Sequence, residues 1–511
     1  MLARVQSYLL QGIDALPCEI EIDLDNRSFN KDTIVGLPDA AVKESLERVK
    51  AAMSNSGYSL PQGRLLVNLA PADVRKEGPA YDLPIAIGML AVQGVVGLPV
   101  KGGNEELDLR QYLLAGELAL DGRLRPIKGA IALASLARTQ GVRGVILPAE
   151  NALEAALVPG VEAIGVATLA EVVGIVRGEL EPRPTPAPDI EAMLSTATPP
   201  IDFAEVRGQE SVKRAIVVAA AGSHNVVMIG PAGSGKSMMA KALPGVLPAL
   251  TPDEAIEITR IYSAAGALPP GDGLIRIRPV RTPHHTASSA AVVGGGIVPR
   301  PGEISLAHRG VLFLDELPEF PRFVLETLRQ PMEDHVVTIA RAAGAIRFPA
   351  SFMLVAAMNP TISGEVRPGE TGKRDMERYI GRISGPLLDR IDIHVEAPAV
   401  SWQQLQRAPD GSSTAMMREQ VQRARQMQAA RQGEGLPNSR LSGKQLDKWA
   451  VLDSPCRTML GQAMSELGLS ARAYDKVRRV SRTIADLAGS DRIDAAHVGE
   501  AVGYRLLDRK V

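Results

Sequence analysis

Residues Gly230, Pro231, Ala232, Gly233, Ser234, Gly235, Lys236 and Ser237 read G-x-x-x-x-G-K-S, and the apolar run Val226 to Ile229 leads into them. Few folds accommodate a buried strand, a glycine loop and a helix (Met238 to Leu243) in immediate succession. The loop must turn so tightly that its backbone N–H groups converge, and the helix must begin where they meet. This predicts an α/β fold with a parallel sheet that presents ligand groups at the C-terminal ends of its strands. In such a loop residues 230–237 cradle phosphate oxygens, Lys236 reaches the β- and γ-phosphates, and the Ser237 hydroxyl holds Mg²⁺.

A second motif strengthens the first. Val311-Leu-Phe-Leu is a run of four apolar residues, the signature of a buried parallel strand, and Asp315-Glu316 stand at its C-terminal end. Asp315 is expected to hold Mg²⁺ through water, and Glu316 to polarise an attacking water as general base. A strand ending in Asp-Glu is common by itself. Paired with the glycine loop, it points to nucleoside triphosphate binding and hydrolysis. Phe352 to Ala357 form another buried run, ending at Asn359, whose strand should lie beside that of Asp315 and whose amide can orient the water. Val206, Gly208 and Gln209 precede the glycine loop and are candidates for an adenine pocket.

Bulk properties exclude several classes. At 511 residues the chain should hold about three domains. Apolar content is ordinary, net charge is −1, and aromatics make up 3%, too few for a base-stacking platform. Cys18 and Cys456 are the only cysteines, which rules out a disulfide framework and a cysteine-based zinc site and suits a reducing cytoplasm. The first residues lack the pattern of a signal peptide. The most apolar window, Leu83 to Val100, contains Pro84 and Gln93 and reads as a core helix and a turn, not a membrane span. Residues 401–511 carry 18 Lys/Arg against 12 Asp/Glu, a local excess that suits contact with phosphate backbones or a solvated helical face equally well.

Residues 181–200, EPRPTPAPDIEAMLSTATPP, are proline-rich and read as a semi-rigid linker. They divide an α+β domain (1–180) from a nucleotide-binding core (201–400) and a helical part (401–511). In the first domain Glu19–Leu24, Leu65–Leu69 and Tyr112–Ala115 read as strands. Asp39 to Asn55 reads as a helix with Val42, Leu46, Val49 and Met53 on one face. In the core, 79 positions separate Lys236 from Asp315, and the glycine- and histidine-bearing stretch Arg281–Gly310 reads as an inserted excursion. The adjacent His284 and His285 point different ways and have no carboxylate near them in sequence, so a loop role is favoured over metal binding. Val336–Ala340 and Ala345–Phe348 suggest a hairpin about Ala343-Gly344. Near the end, Met416–Arg431 reads as a polar helix, and Ser470 and Asp494 as N-caps of two more.

IVGLPDAAVKESLERVKAAM (34–53), VNLAPADVRKEGPAYDLPIAIG (67–88), LFLDELPEF, AAMNP, RISGPLLDRIDIHVE and LSARAYDKVRRVSRTIADL together resemble the YifB/ComM family of magnesium-chelatase-like AAA+ ATPases, over nearly the whole chain. The resemblance implies an AAA+ core with an α-helical C-terminal lid, ATP and Mg²⁺ as ligands, Asn359 as sensor 1, Arg390 as an arginine finger and Arg472 as sensor 2. A finger working in trans implies a ring, expected to be a homo-hexamer. The family is associated with ATP-driven branch migration of single-stranded or branched DNA in natural transformation. A chelatase-type or protein-remodelling motor is the alternative.

The first domain resembles the Lon protease catalytic domain, with two departures. Where that family places a serine, this chain has Gly78-Pro79-Ala80, and the partner lysine falls near Ile131, with Lys128 out of register. Alanine cannot attack a peptide bond, which implies an inert scaffold. The four-cysteine cluster that family members often carry between Pro360 and Arg382 is missing, so zinc is not expected. Asp410-Gly-Ser412-Ser-Thr414 has the order of a metal-binding adhesion motif, but it lies in a polar loop after Pro409 and is read as chance.

Overall fold

The computed structural model describes residues 2–26, 31–97, 107–269, 271–296, 298–341, 344–361, 370–406, 411–505 and 507. The chain forms two compact units. The first contains Met1–Ser195, Pro252–Arg276 and Ile297–Pro301, and the second contains Thr196–Thr251, Ile277–Gly296 and Gly302–Val511. No helix among the described residues is long and apolar enough to cross a membrane.

In the first unit, strands Leu2–Gln11, Asp14–Asp25 and Arg64–Ala70 pair antiparallel, and Thr33–Val35 joins the last of them in parallel. The alternation of the second strand explains its facing. Cys18, Ile20 and Ile22 are buried while acidic residues alternate outward. The helix Ala40–Asn55 begins where Asp39 Oδ1 accepts from the Val42 amide at 2.7 Å, and Val42, Leu46, Val49 and Met53 are its buried face. Every residue of the helix Asp82–Val92 is buried. It includes Asp82, which burial pushes upward in pKa and which Arg48 pairs at 2.9 Å. Residues 98–100 of the apolar window lie outside the described residues. A parallel sheet of Tyr112–Leu114, Gly144–Pro148 and Glu162–Val166 completes the core.

Two stretches differ from their sequence reading. The proline-rich segment is anchored at its start. Thr185 N donates to Ala163 O at 2.8 Å and Pro184 bridges Ile164, so a residue that keeps its amide between two prolines docks on an edge strand. The helix Pro252–Ala265, from the middle of the 201–400 span, packs in the first unit. Its Ser263 hydroxyl bonds the buried carboxylate of Glu154 and accepts from Gly129 N at 2.9 Å. A buried carboxylate needs donors, and Ile131 N at 2.8 Å supplies a second.

The second unit is built on a five-stranded parallel sheet in the order Val280–Arg281, Val311–Leu314, Met353–Met358, Val226–Ile229, Ile393–Glu396. The three central strands are buried along their full length, as their unbroken apolar runs require. The stretch Arg281–Gly310 is less of an excursion than its composition suggests. Arg281 belongs to an edge strand, and Val292, Ile304, Leu306 and Ala307 are core residues. Its glycines serve close packing: a Cβ on Gly302 would stand 2.3 Å from Gly294 N. The hairpin forms from Val336–Arg341 and Gly344–Pro349; Ala343 lies outside the described residues.

The C-terminal helices Thr414–Gln432, Ala471–Leu487 and Ala495–Gly503 start at Ser413, Ser470 and Asp494, each capping a backbone amide. Met417, Val421, Ala424 and Gln428 form the buried stripe of the first, a helix whose surface is otherwise polar. A buried ion cluster ties the first two of these helices together. Asp486 accepts from Arg431 at 2.6 and 2.9 Å, Arg482 at 3.0 Å and Asn438 at 2.8 Å. Both tryptophans, Trp402 and Trp449, belong to this unit, so their fluorescence follows its unfolding. Asp486→Ala leaves two guanidinium groups without their carboxylate and should destabilise the unit by about 3–5 kcal/mol in urea titrations. Glu419→Ala, which breaks an exposed pair with Arg423, should change it by less than about 1 kcal/mol.

Candidate functional site

The glycine loop follows Ile229 directly. Gly230 N donates to Met358 O at 3.1 Å and Ala397 N to Ile229 O at 2.7 Å, so the loop leaves the sheet between two parallel neighbours. Only glycine fits at 230, because an added Cβ would lie 2.0 Å from Ala397 O. Gly233 and Gly235 take positive φ values of 78° and 85°, with open space where a Cβ would stand. The helix Lys236–Ala242 begins at this point. The loop thus has the strained glycines, the room and the helix start that a phosphate chain requires.

Lys236 folds back over the loop. Its ammonium donates to Gly230 O at 2.7 Å and Pro231 O at 2.8 Å, and lies 3.4 Å from Ser234 Oγ and from Asn359 Oδ1. Burial lowers its pKa, and Asp315 opposes that shift. Ser237 Oγ donates to Asp315 Oδ2 at 2.8 Å. The hydroxyl and the carboxylate that the sequence assigns to Mg²⁺ therefore meet, although 78 positions separate them. These two oxygens suit a hard cation that keeps most of its own water.

Glu316 is next to Asp315 in a left-handed conformation, φ 52°, with its amide donating to Asp315 Oδ1 at 3.0 Å. Its side chain is half exposed, and Oε2 stands 3.4 Å from His285 Nδ1. This corrects the reading of the paired histidines. A carboxylate does stand beside them, delivered by a strand 31 positions later, and no local pattern signals it. His285 lies 4.2 Å from the His284 ring, centre to centre, and edge-on to Phe320; His284 Nδ1 is 2.8 Å from Thr286 Oγ1. Among the described residues no group of three or more His, Cys, Asp or Glu side chains could hold a metal ion.

Gln209, itself at φ 63°, bridges two parts of the site. Its amide nitrogen donates to Ser234 O at 3.2 Å and to Pro398 O at 2.6 Å. Gly208 also takes a positive φ, 62°, and Val206 is a core residue of this unit. Of the three candidates for the adenine pocket, only Gln209 has a bond to the phosphate loop among the described contacts.

The two arginines stand elsewhere. Arg390 precedes the strand Ile393–Glu396, which runs parallel to Val226–Ile229 with Val226 opposite Ile393. It therefore lies at the N-terminal edge of the sheet, at the far end from this chain's own phosphate loop. Its guanidinium pairs with Glu333 at 2.5 Å and donates to Pro386 O at 2.6 Å. Arg472 sits at the start of the helix Ala471–Leu487, largely exposed and 3.8 Å from Asp389, the neighbour of Arg390. The fold thus gathers Ser237, Asp315, Lys236, Asn359 and Gln209 at one end of the sheet, and Arg390 and Arg472 at the other.

The remaining candidates have structural explanations. Ala80 lies in a short turn and its carbonyl accepts from Gly116 N at 2.9 Å; Ile131 is fully buried. Ser412 bonds Glu210 at 3.0 Å, Ser413 caps a helix and Thr414 accepts from Phe203 N at 2.8 Å; Asp410 lies outside the described residues, as do residues 362–369 of the cysteine-free loop.

Comparison with known proteins gives one consistent answer. Residues 202–405 match the family described as magnesium chelatase, subunit ChlI, residues 20–151 the subunit ChlI of Mg-chelatase, and residues 411–505 the ChlI C-terminal family. The chain is 42% identical to the competence protein ComM of Haemophilus influenzae, with 99% of this chain and 98% of that protein covered. It is 41% identical to the uncharacterized protein YifB of Salmonella typhimurium over the same shares. The magnesium-chelatase 38 kDa subunit of Chlorobaculum tepidum is more distant, at 24% over 60% of this chain and 80% of its own. With its parallel sheet, phosphate loop and helical C-terminal region, the chain belongs to the YifB/ComM family of magnesium-chelatase-like AAA+ proteins.

Proposed function

We propose that this protein hydrolyses ATP as a ring of identical copies, a hexamer in the family pattern, and uses the turnover to move DNA strands through a junction. The observation that carries the first part is the bond between Ser237 and Asp315 beside Lys236 and Asn359. These residues come from three separate segments and converge on one point. Residues 230–237 would hold the phosphates, with Gln209, Gly208 and Val206 toward the base. Ser237 and Asp315 would hold Mg²⁺, which when bound offsets charge on the β- and γ-phosphates. Lys236 would exchange its loop carbonyls for phosphate oxygens. Asn359 would orient a water, and Glu316 would accept its proton as the water attacks the γ-phosphorus.

The position of the arginines supports the ring. A guanidinium at the far edge of the sheet cannot serve the nucleotide of its own chain, but it can serve that of a neighbour. We assign Arg390 and Arg472 to that task, with the ion pair from Arg390 to Glu333 broken on assembly. The likeness to a competence protein over the full length, and the excess of positive charge in residues 401–511, favour DNA as the substrate and the cytoplasm as the place of action. The first unit, with alanine at position 80, is read as a scaffold for assembly or DNA contact and not as a peptidase.

Glu316→Gln should keep ADP affinity and lower kcat by about 10²-fold or more, whereas Lys236→Ala should lose nucleotide binding altogether. ATP turnover measured with and without a four-way DNA junction, together with junction movement followed by gel, tests the substrate. Stimulation and movement that both vanish in Glu316→Gln are the expected result. Turnover indifferent to every DNA form would remove DNA from the proposal and leave the ATPase.

A further inference from the structure

The segment carrying Arg390 and the helix carrying Arg472 are joined by a buried ion pair. Lys476, one turn beyond Arg472, donates to Asp392 Oδ1 at 2.7 Å; Asp392 is two residues beyond Arg390. Both side chains are nearly inaccessible, with that of Lys476 10% and that of Asp392 9% exposed. The other carboxylate oxygen of Asp392 accepts from Asn225 N at 3.1 Å and stands 3.5 Å from His224 Nδ1, while His224 Nε2 is 2.8 Å from Thr483 Oγ1 on the same helix as Lys476.

Asn225 extends the connection. Its amide nitrogen donates to Arg390 O at 3.3 Å, and its amide oxygen accepts from Leu354 N at 2.9 Å. Leu354 lies in the strand that ends at Asn359, and Asn225 immediately precedes the strand that ends in the phosphate loop. A surface ion pair would do little to fix geometry. A buried pair whose carboxylate also accepts from a backbone amide, with an imidazole close beside it, favours one arrangement of its two segments.

We propose that Lys476 and Asp392 are positioning residues that hold Arg390 and Arg472 as a single unit, presented to the nucleotide of the neighbouring copy. Neither touches nucleotide. Their effect runs through the placement of the two guanidinium groups, where an error of about 1 Å costs on the order of 100-fold in rate. Through Asn225 the same unit is bonded to the two strands that end in this chain's own phosphate loop and Asn359. The inference rests on the reading of the arginines as acting in trans.

The test is complementation between defective copies. Lys476→Met/Asp392→Leu removes both charges together and so avoids an unpaired buried ion, a replacement that buried pairs often tolerate in stability. This protein should bind ADP within about threefold of the unmodified chain, and hydrolyse ATP about 100-fold more slowly. Lys236→Ala should be inactive for the opposite reason, with sound arginines and no nucleotide. Equal mixing should restore activity at roughly a quarter of the interfaces, those in which the first type holds the nucleotide and the second lends the arginines. Arg390→Ala mixed with Lys236→Ala is the control for the trans reading. Recovery in both mixtures upholds the proposal. Recovery in the control alone, or a doubly apolar variant with unchanged kcat, overturns the role of the pair. No recovery in the control overturns the trans reading and the proposal with it. If the double variant fails to fold, Lys476→Arg and Lys476→Gln take its place. Arginine should keep most of the turnover and glutamine should lose it with ADP binding intact; equal turnover in both overturns the proposal.

Discussion

Strand register is what the whole site depends on. Ile229 stands opposite Met358, and Leu314 opposite Ala356, in a sheet whose strands all run the same way. Gly230, Asp315 and Asn359 therefore leave the sheet within about two residues of one level. Sliding one strand by two residues would preserve its buried face and move its terminal residue by roughly 6–7 Å, more than the reach of a hydrogen bond. The Ser237 to Asp315 bond and the approach of Lys236 to Asn359 exist because the register is right. The unbroken burial of the three central strands fixes them in the core, and the backbone bonds from Gly230 to Met358 and from Ala397 to Ile229 fix them along it.

That geometry explains which parts of the site can be read from the letters. The glycine loop, the Asp-Glu pair and the asparagine each sit at the end of an apolar run, and the run announces the strand that positions them. The caps at Ser470 and Asp494 are equally legible, because capping is a local bond between a side chain and an amide three residues on. His285 beside Glu316 was not legible. It depends on how the stretch after Arg281 folds back over the Asp-Glu strand, and nothing within a few residues encodes that path. The fate of Pro252–Ala265 was hidden for a similar reason: the carboxylate that it satisfies, Glu154, is about a hundred residues earlier.

The arginines illustrate a third case. Their roles came from resemblance, but the place of Arg390 follows from the sheet, and that of Arg472 from its approach to Asp389. A residue that precedes a parallel strand must lie at the end opposite to the loops that follow the other strands, whatever its side chain does. The polarity of the sheet thus separates the glycine loop, Asp315 and Asn359 from Arg390, and the helix Ala471–Leu487 is fastened to the Arg390 segment by the Lys476 to Asp392 pair.

The exchange of segments between the two units has one more consequence. The polypeptide passes between them five times, at residues 195, 251, 276, 296 and 301. A fragment cut at residue 200 would lose the helix whose Ser263 hydroxyl bonds Glu154, and that buried carboxylate would have one donor fewer. The segments of the first unit end only at Pro301, so ribosomal synthesis must pass residue 301 before all of them are present.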